Sequence, residues 1–188
     1  MAYTTPADCK AYMGIIASTD DTLIGNLITR ATAIINNYTG RVFEAETATK
    51  YFDHDDVEGR ELYLFGYDLL TITTLTNGDG TVIASANYRL EPRNETPKWI
   101  VRLDENTTWE FDDSDSEISI AGTWGYSATV PADIAHASIR LVTFLYRQKD
   151  TSADVDRPLV TGDGVTIMPT NLPADVKSIL DPYRRRIA

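Results

Sequence analysis

The sequence predicts an α+β fold: a small helical bundle formed from both chain ends, with an antiparallel β domain inserted between them. Three observations carry that prediction. Apolar residues recur with a helical period in Ser18–Gly40 and again from Pro131. Between Thr47 and Tyr126 the period falls to two. The strands there are joined by tight turns, and no crossover helix is available for a parallel sheet. The expected boundaries are 1–46 with 127–182 for the helical domain, 47–126 for the β domain, and 183–188 for a basic C-terminal tail.

The first helix is expected from Pro6 to about Ile16, with Thr5 as N-cap, Pro6 in the first helical position and Asp8 in the first turn. In the second, Leu23, Ile24, Leu27, Ile28, Ala31, Ile34, Ile35 and Tyr38 form one apolar stripe. Ser18 with Asp21 resembles a capping box at its start, and Gly40 can close it in the left-handed conformation. Strands are expected at Thr49–Asp53, Arg60–Phe65, Leu69–Thr76, Thr81–Ser85, Tyr88–Glu91, Lys98–Leu103, Thr107–Phe111 and Glu117–Gly125. Asn77-Gly78-Asp79-Gly80 is a hairpin signal. From Pro131 a third helix carries Ile134, Leu141, Val142 and Leu145 on one stripe, while Ile139 and Phe144 lie partly off it, as a helix covered on two sides requires. A long polar segment, Asp150–Asn171, precedes a last helix from Pro173 that stops near Pro182.

Composition narrows the function. A hydrophobic share of 43% suits a packed core, and a net charge of −11 argues against general affinity for nucleic acid or an anionic membrane. The N-terminus lacks the regions of a signal peptide and no apolar run spans a bilayer, so a soluble chain made in a cytoplasm is expected. The Asn-x-Thr triplets at Asn37, Asn94 and Asn106 are then chance matches. Cys9 alone can form no internal disulfide and reads as a buried small hydrophobe.

Catalytic and metal motifs are missing. His54 in Asp53-His54-Asp55-Asp56 reads as a polar turn, because two histidines and one cysteine are too few for a zinc or iron site. Asp112-Asp113-Ser114-Asp115-Ser116-Glu117 lacks the glycine and distal glutamate of a calcium loop and reads as a hairpin turn, and the Asp154–Asp163 loop is read likewise. No nucleophile motif surrounds Cys9, and His136 reads as an interfacial or half-buried polar residue. Gly162-Asp163-Gly164 is not a phosphate loop. The expectation is no enzyme, no cofactor and no metal.

The C-terminal arginines stand out in so acidic a chain. Tyr183-Arg184-Arg185-Arg186-Ile187 follows Pro182, which should end the helix, so dipole compensation is an incomplete account. The segment reads as a flexible docking peptide for an acidic groove on another protein.

Four stretches, in this order, resemble the head–tail connector, or adaptor, proteins of tailed bacteriophages and gene transfer agents. They are Ile34–Phe43 around Gly40-Arg41, Tyr63–Leu75, Gly125–Ala137, and Leu172–Arg185. The resemblance implies a structural virion protein at the head–tail interface, assembled in the host cytoplasm. It implies a homo-oligomeric ring, usually of twelve subunits, beneath the portal protein and above a tail-side connector or tail terminator. Packaged DNA would pass through its channel without specific binding, and no membrane is involved. It assigns Tyr183, Arg184, Arg185, Arg186 and Ile187 to portal docking, while Ile139 and Phe144 are candidates for the subunit interface. Two other readings remain: a glycan-binding virion protein using Trp99, Trp109 and Trp124, and a DNA-packaging component with a helical DNA-binding domain.

Overall fold

Residues 2–113, 116–148, 159–160, 166–167 and 172–185 are described by the computed structural model. The chain divides into two units, Met1–Gly40 with Pro131–Ala188, and Arg41–Val130.

The first unit is helical. Helix α1 (Pro6–Met13) starts where Thr5 accepts the amide of Asp8 at 3.1 Å and ends at Gly14, whose φ of +72° provides the left-handed closure. It is shorter than expected, because that glycine stops it before Ile15. Helix α2 (Asp21–Thr39) closes on Gly40, at φ +67°, whose amide reaches the Asn36 carbonyl at 2.8 Å. The Ser18/Asp21 box is not what begins it. Asp20 is the N-cap, and the Asp21 carboxylate is drawn to Lys10 Nζ at 2.7 Å on α1. Helix α3 (Ala132–Gln148), like α2, touches each of the other three helices, including α4 (Ala174–Leu180).

The helical stripes predict the core well. Ile24, Leu27, Ile28, Ala31 and Ile35 of α2 are buried with Ile134, Ala137, Leu141 and Val142 of α3 and Val176 and Leu180 of α4. Leu23, Ile34, Tyr38 and Leu145 sit half-buried at the margins. Ser138 is fully buried beside Ala137, small enough for helices to approach closely. Two short strands, β9 (Leu159–Val160) and β10 (Thr166–Ile167), pair antiparallel within the long segment after α3. The rest of that segment, including Gly162-Asp163-Gly164 and most of Asp154–Asp163, lies outside the described residues.

The second unit is all β. One antiparallel sheet has the order β1 (Glu46–Phe52), β8 (Ile118–Trp124), β4 (Leu69–Thr76), β5 (Val82–Ile83); the other has β2 (Val57–Glu58), β3 (Glu61–Tyr63), β7 (Ile100–Leu103), β6 (Tyr88–Glu91). Both feed one core containing Phe52, Leu62, Leu69, Leu75, Val101, Leu103, Ile118, Ile120 and Trp124. In β8 the alternation is regular: Ile118, Ile120, Gly122 and Trp124 all face in. Gly122 is required there. Opposite it β4 bulges between Leu69 and Thr74, and a Cβ at 122 would lie 2.2 Å from the Thr71 carbonyl oxygen.

Thr107–Phe111 is not the strand its alternation predicts. The side chain of Asn77, 4% exposed, takes over the hydrogen bonds a ladder would make. Its Nδ2 donates to the Thr108 carbonyl at 3.1 Å and its Oδ1 accepts the Glu110 amide at 3.0 Å. Only the isolated bridge between Gly78 and Phe111 remains of a pairing there. The hairpin expected at Asn77–Gly80 does form, joining β4 to β5 with Leu75 opposite Ile83.

Candidate functional site

Stretches that looked separate in the sequence meet in space, within each unit. In the β unit, Arg41 Nη1 lies 2.5 Å from Asp68 Oδ1, and the Asp68 side chain is almost wholly buried. The Arg41 guanidinium also stands 5.4 Å from the centre of the Tyr126 ring. The Gly125 amide donates to the Asp68 carbonyl, and the Tyr126 amide to the Val42 carbonyl, each at 2.8 Å. Buried Phe43 packs on Tyr126 with ring centres 5.3 Å apart. A carboxylate buried this deeply is tolerable only with a paired cation. The sequence signal was available: Asp68 interrupts the apolar run from Leu62 to Leu70 and so demands a partner.

In the helical unit the second cluster forms at the C-terminal end of α2. After α4 the chain makes a 3₁₀ turn, Asp181–Tyr183, with Pro182 inside it. Tyr38 donates its hydroxyl to Asp181, and Tyr183 donates its own to Asp133 at 2.5 Å. Arg184 lies over the Tyr38 ring, 5.3 Å from its centre. The Arg185 amide donates to the Thr39 carbonyl at 2.8 Å, satisfying one of the last carbonyls of α2. The bond to Asp181 raises Tyr38 above the ordinary phenol range. Lys177, Asp181, Pro182, Arg184 and Arg185 line a shallow groove beside this turn.

The first three residues of the expected tail, Tyr183, Arg184 and Arg185, are therefore held on the bundle, and a flexible peptide is not what they form. Arg186 and Ile187 lie outside the described residues. Ile139 and Phe144 are both half-buried on α3. Elsewhere on the bundle, Arg140 of α3 bridges to Asp175 of α4, with Nε–Oδ2 at 2.6 Å, and to the Tyr12 hydroxyl at 3.2 Å. The Arg140 hydrogen bond holds Asp175 below its usual carboxylate range. Cys9 is fully buried, and burial pushes its thiol up, away from the reactive thiolate.

The remaining candidates have bland surroundings. His54 sits in a 3₁₀ turn that Asp53 and Asp56 cap reciprocally, with its ring 5.0 Å from that of Phe111. His136 is exposed, edge-on to Tyr12. Asp113 and Ser116 close a turn on each other, while Ser114 and Asp115 lie outside the described residues. Among the described residues, no three of His, Cys, Asp and Glu are grouped to hold a metal, and no helix is long and apolar enough to cross a membrane. The three tryptophans form no common platform. Trp124 is in the core with its indole N–H on the Ala48 carbonyl at 3.0 Å, Trp109 is half-buried against that core, and Trp99 alone is well exposed.

Comparison with known proteins gives the arrangement a family. A search of curated proteins finds no match. Among solved structures, one similar chain belongs to the neck of an empty gene transfer agent particle computed with C6 symmetry; it has a TM-score of 0.64 at 15% identity, covering 97% of this chain and 90% of that one. A chain in the neck of the native particle, computed with C12 symmetry, gives a TM-score of 0.62 at 16% identity, covering 97% and 89%. A chain of the native gene transfer agent virion gives 0.64 at 17%, covering 97% and 90%. At these identities the likeness is one of fold. The family profile described as head completion protein matches residues 2–186, nearly the whole chain, and with that match the chain belongs to the head completion protein family.

Proposed function

We propose that this chain is a structural virion protein: a head–tail adaptor that forms a ring under the portal, joins the DNA-filled capsid to the tail and lets DNA pass through its channel. The observation that carries the reading is family membership across residues 2–186, over both the helical and the β unit. The similar chains in gene transfer agent necks, computed with C6 and C12 symmetry, support a ring, with twelve subunits as the expected number. A ring subunit needs two dissimilar faces for head-to-tail contact. Ile139 and Phe144, half-buried on α3, are proposed for one of them. Tyr183, Arg184, Arg185, Arg186 and Ile187 are proposed to dock on the portal. The net charge of −11 suits a channel wall along which DNA slides without adhering. The protein acts by binding, with no catalytic step.

The test is assembly. Negative-stain images of the purified chain, alone and mixed with its portal protein, should show rings or portals decorated at one end. A chain that stays monomeric and leaves every portal bare refutes the adaptor reading. Removing Arg186–Ala188, beyond the residues fastened to α2, should weaken portal attachment while leaving the helical circular dichroism unchanged. The glycan-binding alternative gains nothing from the dispersed tryptophans and predicts binding on a glycan array that Trp99→Ala abolishes.

A further inference from the structure

In an acidic chain the groove beside the last turn of the helical unit is a local exception. Three of its five lining residues, Lys177, Arg184 and Arg185, are cationic, and one, Asp181, is acidic. The Asp181 carboxylate already accepts the Tyr38 hydroxyl, and the nearby Asp133 carboxylate accepts that of Tyr183. Lys177 and Arg184 are exposed and make no ion pair among the described residues.

Arg184 also has a neighbour that positions it. Its guanidinium carbon stands over the Tyr38 ring, 5.3 Å from its centre, and that ring is held by the bond from its hydroxyl to Asp181. A cation–π contact does not use up the N–H donors of a guanidinium, so Arg184 keeps its planar fork for a two-pronged bond to a carboxylate. The Arg185 amide, bonded to the Thr39 carbonyl, anchors the backbone on the other side of Arg184. Less side-chain entropy remains to be lost when an anion arrives.

We propose that this groove receives the carboxylates of an acidic segment on a partner protein, with Arg184 as the fork and Lys177 as the second cation. The inference rests on the docking role assigned to the C-terminal residues and reverses its direction. The partner's acidic segment enters a groove on this bundle, and the tail does not have to enter a groove on the partner. A nucleic-acid strand fits less well, because phosphate tracking needs a run of cations, and here Asp181 stands among only three.

The experiment is a fluorescence-anisotropy titration of the full chain into labelled oligoglutamate, with labelled oligothymidylate of equal charge in parallel. Saturable oligoglutamate binding that weakens as salt rises is expected. Arg184→Ala should reduce affinity about tenfold, and Arg184→Lys, which keeps the charge but loses the fork, by several-fold. Tyr38→Leu should also weaken binding, since it removes the platform and no charge. Arg93→Ala, at an exposed cation of the β unit, should change nothing. Circular dichroism of each variant separates lost binding from lost folding. No binding by the wild-type chain, equal losses in Arg93→Ala and Arg184→Ala, or oligothymidylate binding as tight as oligoglutamate each overturns the proposal. The titration needs no portal, so its failure leaves the adaptor reading to the imaging test.

Discussion

Replacing Gly122 with alanine adds one methyl group, and the structure says where it would go. The new Cβ would fall 2.2 Å from the Thr71 carbonyl oxygen, 3.2 Å from the Thr71 carbonyl carbon and 3.3 Å from the Ile72 Cα. All three are backbone atoms of β4, so no side chain can rotate aside. Restoring an ordinary contact requires β4 to retreat from β8 by about 1 Å. Flanking ladder bonds near 2.9 Å would then stretch beyond hydrogen-bonding range. Losing two of them costs about 2 kcal/mol, and the strain of overpacking adds about 1–3 kcal/mol, so a loss of roughly 3 kcal/mol or more is expected. Trp99, Trp109 and Trp124 all lie within Arg41–Val130, so tryptophan fluorescence in urea follows this unit alone. With a slope of about 2 kcal/mol/M, the midpoint should fall by roughly 1.5 M. Gly25→Ala is the control. Nothing lies within 4 Å of a Cβ there, in the interior of α2, and the substitution should stabilise the helical signal by about 1 kcal/mol. A Gly122→Ala midpoint indistinguishable from wild type would refute the close approach of β4 and β8.

Three further outcomes are expected. Asp68→Ala takes the buried carboxylate away from the Arg41 guanidinium and should destabilise the β unit by about 3 kcal/mol in the same fluorescence assay, whereas Arg41→Met with Asp68→Leu should recover most of that loss. Asp175, held below the usual carboxylate range by the Arg140 hydrogen bond, gives the helical unit stability that is present above the unfolded-state pKa and lost as pH falls through the lower folded value. The difference between wild type and Asp175→Asn in helical unfolding should therefore be visible at neutral pH and shrink below about pH 4. Cys9 should resist a thiol reagent in the native chain and react at once in denaturant, and fast labelling of the native protein contradicts its burial.

What the sequence made legible was whatever a short period can encode. The α2 and α3 stripes, the β4 and β6 boundaries and the Asn77–Gly80 turn came through because each depends on residues close in the chain. Failures came where a distant group took over a local role. Ser18/Asp21 lost its capping role once Lys10 of another helix claimed Asp21. Thr107–Phe111 kept its alternation but lost its ladder to one buried amide. The C-terminal segment proposed for docking stood out by its arginines after Pro182 and by the family resemblance. Its fastening to Tyr38 and Thr39 joins residues over 140 positions apart, and no periodicity carries that information. The Arg41–Asp68 pair was the nearest miss, since a carboxylate in an apolar run is itself a request for a cation.

The β unit begins and ends side by side. The Tyr126 amide bonds the Val42 carbonyl, and from there Glu46 faces Trp124 and the pairing of β1 with β8 runs on to Phe52 and Ile118. The strand that enters is zipped to the strand that leaves. A segment closed at its neck in this way can lengthen, shrink or be exchanged beyond the neck without altering the separation of its two ends. Loop-closure entropy rises only slowly with added length, so such changes cost little. The unit is thus built as an exchangeable head on a fixed stem, where new contacts can be tried without respecifying the helices that flank it in the chain.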